Sequence, residues 1–422
     1  MLQRHLTQSI QAALADTPVV VVNGARQTGK STLLQSLTLA GKPARYFTLD
    51  DSAALAAATS DPSGFIAAQA GSTAGPMMID EVQRAPQLFL PIKYAVDQQR
   101  SPGRFVLSGS ANVLLLPKLA DSLARRMEIL TLWPLSQAEL SARTHEPVSN
   151  LIDSLFASDL GAVGALHSLQ PDREDLSQRL LAGGYPEAVT RSSDARRNAW
   201  FAAYLHTIVQ RDIRDLAQIE GLTQLPLLLQ SLAHKATGML NTADLSRTMA
   251  LPQTTLKRYL TLLETVYLIS LLPAWSPRAS HRAQKTPKLF FNDSGLLAHL
   301  LGLSKPGLAA LPGLHGGLLE TFVFSELQKH IGWAETSGVQ LMHYRTSTGA
   351  EVDFVLQDRQ GRIVGIEVKA ATGLSGDAFK GLRHLREVMG PQFHRGVVLH
   401  PGTQTVGFDP QLAAVPLQTL WI

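Results

Sequence analysis

The sequence predicts an α/β protein in which a parallel sheet with covering helices comes first, a helical middle region follows, and a second α/β part ends the chain. Short β-rich runs alternate with helical stretches from Pro18 to Leu107, which is typical of a parallel sheet. Helical periodicity dominates from Leu176 to about Val266, and strands and helices mix again from Lys288. A chain of 422 residues also has room for about two to four domains.

Composition narrows the class of protein. Hydrophobic residues make up 45% and charged residues 17%, which indicates a globular chain. The absence of cysteine excludes disulfides and thiolate metal sites and fits a reducing compartment. The N-terminus has the pattern of an amphipathic helix rather than of a signal peptide, and no apolar run approaches the roughly 20 residues of a membrane span. We therefore expect a soluble cytoplasmic protein with no membrane contact.

Four strands are predicted in the N-terminal part. They cover Pro18–Asn23, Arg45–Leu49, Met77–Ile79 and Arg104–Leu107. The run PVVVVN has the continuous apolar character of a strand buried on both faces. Ligands of such folds bind outside the carboxyl ends of the strands, so candidate site residues are expected directly after each strand.

The first of these strand ends carries a phosphate-binding loop. The segment from Gly24 to Ser31 matches G-x-x-x-x-G-K-[ST], and it lies between a buried strand and a helix, as the motif requires. Glycines let successive N–H groups face the phosphates, and the helix N-terminus adds positive potential. Lys30 is expected to reach the β- and γ-phosphates, and Ser31 to hold Mg²⁺. The residues expected to bind the nucleotide are Gly24, Ala25, Arg26, Gln27, Thr28, Gly29, Lys30, Ser31 and Thr32.

The third strand ends in an acidic pair. Met77–Ile79 is followed directly by Asp80 and Glu81. The pair lies about fifty residues after the phosphate loop, where acidic residues are expected to bind the metal and to activate the attacking water. Asp80 would hold Mg²⁺ through water, and Glu81 would polarise the water that attacks the phosphate. Without such a loop, an acidic pair at a strand end would usually be two solvated residues of a turn.

Several further residues have open roles in hydrolysis. Ser110 follows the fourth strand and would either sense the γ-phosphate or cap the next helix. Arg125 and Arg126 precede a strand-like segment and would either reach a neighbouring subunit's nucleotide or be solvated. Arg211 and Arg214, in QRDIRDL, are further candidates for an arginine that stabilises the transition state.

The middle region has a basic bias and the pattern of a DNA-binding motif. The chain carries a formal charge of +4, yet residues 187–288 alone hold 13 Lys/Arg against 7 Asp/Glu. Within it, Asn241–Leu263 reads as two short amphipathic helices with a turn near Ala250–Pro252, a helix-turn-helix pattern. The strand-like segments LISLLPAW and KLFF would form a wing; a small helical bundle is the alternative. The second helix would expose Gln253, Thr254, Lys257 and Arg258 toward DNA.

A second constellation lies in the C-terminal third. Glu320 falls on an amphipathic helix, Asp353 on a strand, and Glu367 and Lys369 two positions apart on the next strand, where they share a face. Carboxylates with a lysine in this order can bind Mg²⁺ and orient a water against a phosphodiester, and Glu351 shares the face of Asp353. The sequence therefore predicts a nuclease-like fold here. The alternative is an edge strand with ordinary alternation of polar and apolar residues. A nuclease-like fold also does not by itself imply that cleavage activity is retained.

Together these segments resemble a prokaryotic family of AAA+-type ATPases, similar to archaeal ATPases, that carry a C-terminal domain of the PD-(D/E)XK nuclease-like fold. The resemblance covers almost the whole chain. It depends on GARQTGKST (Gly24–Thr32), YFTLDD (Tyr46–Asp51), MMIDEVQ (Met77–Gln83), LSGSAN (Leu107–Asn112), LWPLS (Leu132–Ser136), GGYPE (Gly183–Glu187), QRDI (Gln210–Ile213), FNDSGLLAHLLG (Phe291–Gly302), GAEVDF and IEVK. One departure is Ala124-Arg125-Arg126, where a Gly-Arg pair is usual; the role of Arg126 is therefore open.

The resemblance implies a fold and a division into domains. It implies a P-loop NTPase domain of AAA+ type over residues 1–135, a helical lid and linker over 136–222, a winged-helix-like domain over 223–288, and a restriction-endonuclease-like α/β domain over 289–422. Among nucleotides it favours ATP, with Mg²⁺, and it favours a homo-oligomer because AAA+-type sites usually lie between subunits. The leading hypothesis is an ATPase that drives action on DNA, such as remodelling, translocation or processing of branched DNA. The alternatives are an ATP-gated DNA nuclease and a nucleotide-dependent binding switch with an inactive C-terminal domain.

Overall fold

The structure is a computed structural model that describes residues 2–39, 42–43, 45–70, 75–110, 123, 125–141, 149–158, 176–214, 222–277, 282, 285–310, 312–371 and 373–421. The chain forms two compact units. Unit 1 comprises Met1–Leu135 and Leu263–Tyr267, and unit 2 comprises Ser136–Leu262 and Leu268–Ile422. Within the described ranges, no helix combines the length and the apolar composition of a membrane span.

Unit 1 is built on a five-stranded parallel sheet. Its strands stand in the order β4-β5-β6-β1-β7, and every neighbouring pair is parallel. A small antiparallel pair, β2 with β3, lies apart from it. The strands are β1 (Val19–Asn23), β2 (Thr38–Leu39), β3 (Lys42–Pro43), β4 (Arg45–Thr48), β5 (Met77–Asp80), β6 (Phe105–Gly109) and β7 (Met127–Thr131). The parallel α/β prediction for the N-terminal part is confirmed, and β7 joins the sheet beside β1.

Both faces of this sheet are buried, as the apolar run in β1 predicts. Val19 and Val21 belong to one hydrophobic cluster, and Val20 and Val22 to the other. Alternation with a period of two places successive side chains on opposite faces of a strand. Helices cover the faces: α1 (Leu6–Asp16), α2 (Lys30–Ser36), α3 (Ser52–Ser60), α4 (Pro62–Ala70) and α5 (Phe89–Gln98). Two 3₁₀ turns, Val82–Arg84 and Pro86–Leu88, precede α5.

Unit 2 contains a six-stranded mixed sheet. The order is β10-β11-β12-β13-β15-β14, in which β12-β13 and β13-β15 are parallel and the other pairs antiparallel. A separate antiparallel pair joins β8 to β9. The strands are β8 (Ile269–Leu272), β9 (Lys288–Phe291), β10 (Gln340–Arg345), β11 (Glu351–Gln357), β12 (Ile363–Val368), β13 (Phe393–His400), β14 (Val406–Asp409) and β15 (Leu412–Pro416).

Helices make up the middle of the chain and flank the mixed sheet. They are α6 (Gln137–Leu140), α7 (Leu151–Phe156), α8 (Leu176–Ala182), α9 (Pro186–Val189), α10 (Asp194–Thr207), α11 (Leu225–His234), α12 (Thr242–Thr248), α13 (Gln253–Thr265), α14 (Ser294–Leu300), α15 (Lys305–Ala310), α16 (Pro312–Trp333) and α17 (Lys380–Met389). A π-helical turn, Ile208–Ile213, continues α10, and 3₁₀ turns lie at Leu222–Gln224, Gly376–Phe379, Gly390–Gln392 and Leu417–Leu420. The helical middle region and the mixed C-terminal part are confirmed.

The segment 136–222, predicted to be a helical lid and linker, contains helix α7, which Asn150 caps by accepting a hydrogen bond from the Ile152 amide at 2.8 Å. Residues 142–148, 159–175 and 215–221 lie outside the described chain. The pair β14 and β15 was not predicted, because two short strands of small residues carry little periodic signal.

Two of the resemblance motifs hold each other in place inside unit 2. The carboxylate of Asp293 accepts a hydrogen bond from the Gly184 amide at 2.7 Å and caps α14 through the Leu296 amide at 2.9 Å. A Cβ at Gly183 would lie 2.2 Å from the Asp293 carboxylate, and one at Gly295 would lie 2.6 Å from the Ala182 carbonyl. Gly183, which also has φ 67°, and Gly295 are therefore required by close packing, which gives these motifs a structural role.

Candidate functional site

The phosphate loop leaves β1 and enters α2 with a backbone suited to surround an anion. Gly24 has φ 146°, and a Cβ there would lie 2.2 Å from the carbonyl oxygen of Leu132, so only glycine fits. Gln27 and Gly29 also have positive φ, 62° and 93°, a conformation that turns successive amides toward one side. Thr28 braces the loop, since its buried hydroxyl donates to the Ala25 carbonyl at 3.0 Å.

Lys30 lies over this loop at the start of α2. Its side chain is only 5% exposed, and its ammonium donates to the carbonyl oxygens of Gly24 at 3.0 Å and Ala25 at 2.7 Å. A buried ammonium is stable only where oxygens satisfy it. The structure thus places a positive charge at the mouth of a backbone concavity, at the carboxyl end of the sheet.

Asp80, the last residue of β5, accepts hydrogen bonds from three neighbouring residues. It is 2% exposed and accepts from the Tyr46 hydroxyl at 2.6 Å, from the Ser108 hydroxyl, and from the Glu81 amide at 3.1 Å. Burial, reinforced by the hydrogen bond to Asp80, raises the pKa of Tyr46 to about 12, so the phenol keeps its proton. The Ser31 side chain acts in the opposite direction and lowers the pKa of that phenol. Tyr46 is thereby bound to Asp80 and lies near Ser31, the two residues predicted to hold the metal.

Glu81 has a strained backbone. Its φ of 57° and ψ of 41° place a non-glycine residue in the left-handed region, which persists where surrounding contacts demand it. The side-chain amide of Gln83 donates to the Glu81 carboxylate, and also to the Ser110 hydroxyl at 3.1 Å. Ser110, at the end of β6, lies 3.4 Å from the same carboxylate. The structure thus brings Ser110 to Glu81; its alternative role as a helix cap concerns residues outside the described chain.

Arg4 is a contributor that the sequence reading did not single out. Its guanidinium donates to the Thr28 carbonyl and to the Trp133 carbonyl, both at 2.7 Å. The first acceptor belongs to the phosphate loop, and the second follows β7. Tyr46, Ser108 and Gln83 were missed as well. The position of Tyr46 could have been predicted from strand periodicity. Thr48 pairs with Asp80 across β4 and β5, and Tyr46, two residues before Thr48, projects from the same face of β4.

These groups fit a nucleoside triphosphate with Mg²⁺. The fit rests on three observations: a glycine position closed to any side chain, an ammonium fixed on loop carbonyls, and a buried carboxylate that accepts a hydrogen bond from the Tyr46 hydroxyl. Loop amides and Lys30 would hold the phosphates, whereas Ser31 and Asp80 would hold the metal. Arg26 lies within the phosphate loop, and Thr32 follows Ser31 on α2.

The candidate arginines are placed differently from one another. Arg126 forms a bidentate ion pair with Asp97 of α5, at 2.6 and 2.9 Å, and this pairing holds the pKa of Asp97 below its usual range. Arg125 is exposed beside it with φ 65°. Arg211 and Arg214 are exposed on the π-helical segment of unit 2 and at its end.

The predicted helix-turn-helix segment forms α12 and α13. Asn241 caps α12, and the turn contains Ala250 with φ 51° and a hydrogen bond from the Ser246 hydroxyl to the Leu251 carbonyl at 2.6 Å. The antiparallel pair β8 and β9 follows in sequence. On α13 the residues predicted to face DNA are all exposed: Gln253, Thr254, Lys257 and Arg258.

The C-terminal constellation also comes together, around a cavity of about 750 Å³. Lys369 lies 2.9 Å from the Glu367 carboxylate, and the Val368 amide donates to Asp353 at 2.9 Å. Glu320, Glu351 and Asp353 line the same cavity. Burial and the nearby Asp353 charge raise the pKa of both Glu320 and Glu367 to about 8. The sequence reading missed one member, Lys288 of β9, whose ammonium lies 2.5 Å from Glu320.

Three family models match the chain. Residues 16–141 match an AAA domain, residues 173–307 a domain of unknown function (DUF8612), and residues 315–420 another domain of unknown function (DUF4143). The N-terminal part is therefore an AAA domain, a class associated with ATP binding. The two other matches carry no assigned activity and leave the nuclease-like prediction for the C-terminal part as a prediction.

Similar proteins are themselves described as uncharacterized. Proteins of Mycobacterium tuberculosis and Mycobacterium bovis are 29% identical over 418 residues, covering 98% of this chain and 83% of theirs. A Haemophilus influenzae protein is 26% identical over 228 residues, covering 53% of this chain and 50% of its own. A solved assembly of Thermococcus gammatolerans McrB AAA+ hexamers with bound McrC aligns over 69% of this chain and 76% of that chain at 12% identity. Its TM-score of 0.20 is too low to indicate a shared arrangement.

Proposed function

We propose that this chain, whose residues 16–141 match an AAA domain, hydrolyses ATP with Mg²⁺ and uses the energy to act on DNA. The observation that carries the proposal is the convergence at one sheet edge of Lys30, on the phosphate loop after β1, with Asp80 and Glu81 after β5. Phosphoryl transfer asks the protein mainly for positioning and electrostatic stabilisation. This edge supplies both.

Each residue has a distinct task in that reaction. Loop amides and the Lys30 ammonium would bind the phosphate oxygens and neutralise the charge that develops on them. Ser31 and Asp80 would orient the Mg²⁺, which when bound supplies further positive charge to the phosphates. Glu81 would accept a proton from the attacking water at its carboxylate, and Ser110 with Gln83 would keep that carboxylate in place.

Action on DNA is supported by the face of α13. Its four exposed side chains, Gln253, Thr254, Lys257 and Arg258, are the types that contact bases and phosphates. Residues 187–288 add an excess of six positive charges.

A homo-oligomer is part of the proposal, because the sites of AAA+-type ATPases usually lie between subunits. If subunits must assemble, specific activity will rise with protein concentration. Turnover independent of concentration would contradict this part.

The test is the ATPase rate with and without linear, single-stranded and four-way DNA, combined with DNA binding at several salt concentrations. We expect stimulation by at least one DNA, and a double variant Lys257→Ala/Arg258→Ala that lowers the slope of log affinity against log salt by about one per lost phosphate contact. The matched control removes two exposed charges elsewhere in unit 2, Lys305→Ala/Arg359→Ala. The proposed action on DNA would be refuted if no DNA changed the ATPase rate and if DNA binding were absent or insensitive to salt. The protein would then be an ATPase that acts on another partner.

A further inference from the structure

One buried lysine lies among the C-terminal carboxylates. Lys288, the first residue of β9, is 3% exposed, yet its ammonium borders the cavity. It lies 2.5 Å from a Glu320 oxygen, 3.3 Å from Glu351 and 3.6 Å from Asp353. Three carboxylates on two elements, Glu320 of α16 and Glu351 and Asp353 of β11, thus surround one ammonium.

This geometry bears on whether the cavity suits a divalent metal. Mg²⁺ requires near-octahedral oxygen ligands at about 2.0–2.1 Å, and the sequence pattern offers it the carboxylates of Glu320, Asp353 and Glu367. The ammonium of Lys288 already lies between Glu320 and Asp353, and the ammonium of Lys369 lies 2.9 Å from Glu367. A metal bound to these carboxylates would therefore stand a few ångströms from two positive charges, and the repulsion between metal and lysine is strong where the charges are buried. The residues present do not fit a divalent ion.

Lys288 is also fixed in its charged form. Burial alone would lower its pKa, but the attraction of Glu320, Asp353 and Glu351 outweighs burial and the pKa is raised. Its ammonium lies 5.9 Å from the ring centre of Phe290 on the same strand. A second lysine, Lys369, pairs with Glu367 at 2.9 Å. Two carboxylates of the cluster thus have an ammonium within 3 Å.

We propose that Lys288 is the resident cation of this cavity: its ammonium takes the place of a divalent metal between Glu320 and Asp353, so the C-terminal unit binds no catalytic Mg²⁺ and does not cleave phosphodiesters there. The cavity is then a metal-independent polar pocket. This outcome separates the ATP-gated nuclease from the other two hypotheses, which require no cutting. It is independent of whether unit 1 hydrolyses ATP.

The experiment is a titration of the nucleotide-free full chain with Mn²⁺, followed by electron paramagnetic resonance of the free ion. Because Ser31 and Asp80 of unit 1 are themselves predicted metal ligands, Asp353→Asn is titrated in parallel, and only the Mn²⁺ that this variant fails to bind is assigned to the cavity. We expect the wild type to show no Asp353-dependent site tighter than about 1 mM. Lys288→Met exposes Glu320 and Asp353 to an incoming cation, and we expect it to bind one Mn²⁺ at least about 100-fold more tightly, because a buried charge left unpaired is costly.

A matched control and a second variant make the result specific. Lys380→Met removes an exposed lysine from the rim of the same cavity and should leave the wild-type result unchanged. The double variant Lys288→Met/Glu320→Gln removes one positive and one negative charge, so the net charge of the cavity stays that of the wild type. It should therefore lack the Mn²⁺ site that Lys288→Met gains. Circular dichroism reports whether each variant folds.

The wild type alone can overturn the proposal, even if Lys288→Met fails to fold. A stoichiometric Mn²⁺ site in the nucleotide-free protein that Asp353→Asn removes would contradict it. So would Mg²⁺-dependent cleavage of plasmid, single-stranded or branched DNA that is lost in Lys369→Ala. Failure of ATP hydrolysis or of DNA binding would leave the proposal unaffected, because neither readout uses nucleotide turnover.

Discussion

Replacing Arg4 by methionine should weaken nucleotide binding although residue 4 lies outside the phosphate motif. Arg4 donates two hydrogen bonds at 2.7 Å, one to Thr28 within the loop and one to Trp133 after β7. A hydrogen bond from a charged donor contributes about 1.5–3 kcal/mol. Because Arg4 is only half-buried, we take the low end, or about 2–3 kcal/mol for both. If all of this free energy is lost from the ordering of the phosphate loop, nucleotide affinity falls roughly 30- to 150-fold.

The assay is fluorescence anisotropy of a labelled ADP titrated with protein in magnesium buffer. Arg100→Met is the matched control, since it removes an exposed arginine of the same unit and should bind within about twofold of the wild type. A well-folded Arg4→Met protein whose affinity also stays within that range would refute the reasoning. It would mean that the loop holds its shape without the guanidinium.

Three other perturbations have definite expected outcomes. Glu81→Gln should keep nucleotide affinity and lose about 100-fold or more in turnover, because the amide cannot take the proton; equal losses in both would contradict this. Gly24→Ala should abolish nucleotide binding in the same titration, since its Cβ would lie 2.2 Å from the Leu132 carbonyl; near-normal affinity would count against the described loop. The pKa of Glu367 is raised to about 8 by burial and by the charge of Asp353, so its proton stabilises the fold below about pH 4.5 and that stability is lost as pH rises toward 8. Between these pH values the free energy of unfolding should fall by up to about 1.4 kcal/mol per pH unit. The urea midpoint should therefore drop more between pH 6.5 and pH 8 in the wild type than in Glu367→Gln. Equal drops in the two proteins would contradict this prediction.

The local parts of the nucleotide site could be predicted from the sequence. Gly24 to Ser31 are contiguous, and strand, loop and helix follow from apolar run, glycines and periodicity. Asp80 and Glu81 could be placed because the carboxyl ends of parallel strands share one edge. In the C-terminal part, the spacing of Glu367 and Lys369 was enough to put them on one face, and they pair at 2.9 Å.

The remaining contacts depend on which distant segments the topology brings together. Arg4 looks like an ordinary charge on an amphipathic helix until Thr28 and Trp133 are placed beside it. Lys288 begins the apolar strand KLFF and looks like a solvated strand end. Its role appears only when β9 brings it to Glu320 and Asp353. Pairings over such separations are set by the order of strands and helices, which periodicity does not contain.

The central claim is that unit 1 binds a triphosphate through its loop amides and Lys30. The most direct measurement is equilibrium binding of labelled ATP in magnesium buffer to the wild type and to Lys30→Ala, with circular dichroism to verify folding. We predict saturable binding by the wild type and its loss in the variant, because the ammonium fixed on the Gly24 and Ala25 carbonyls is the only charge removed. A folded wild type that shows no affinity for ATP, or a Lys30→Ala protein that binds as tightly as the wild type, would contradict the account.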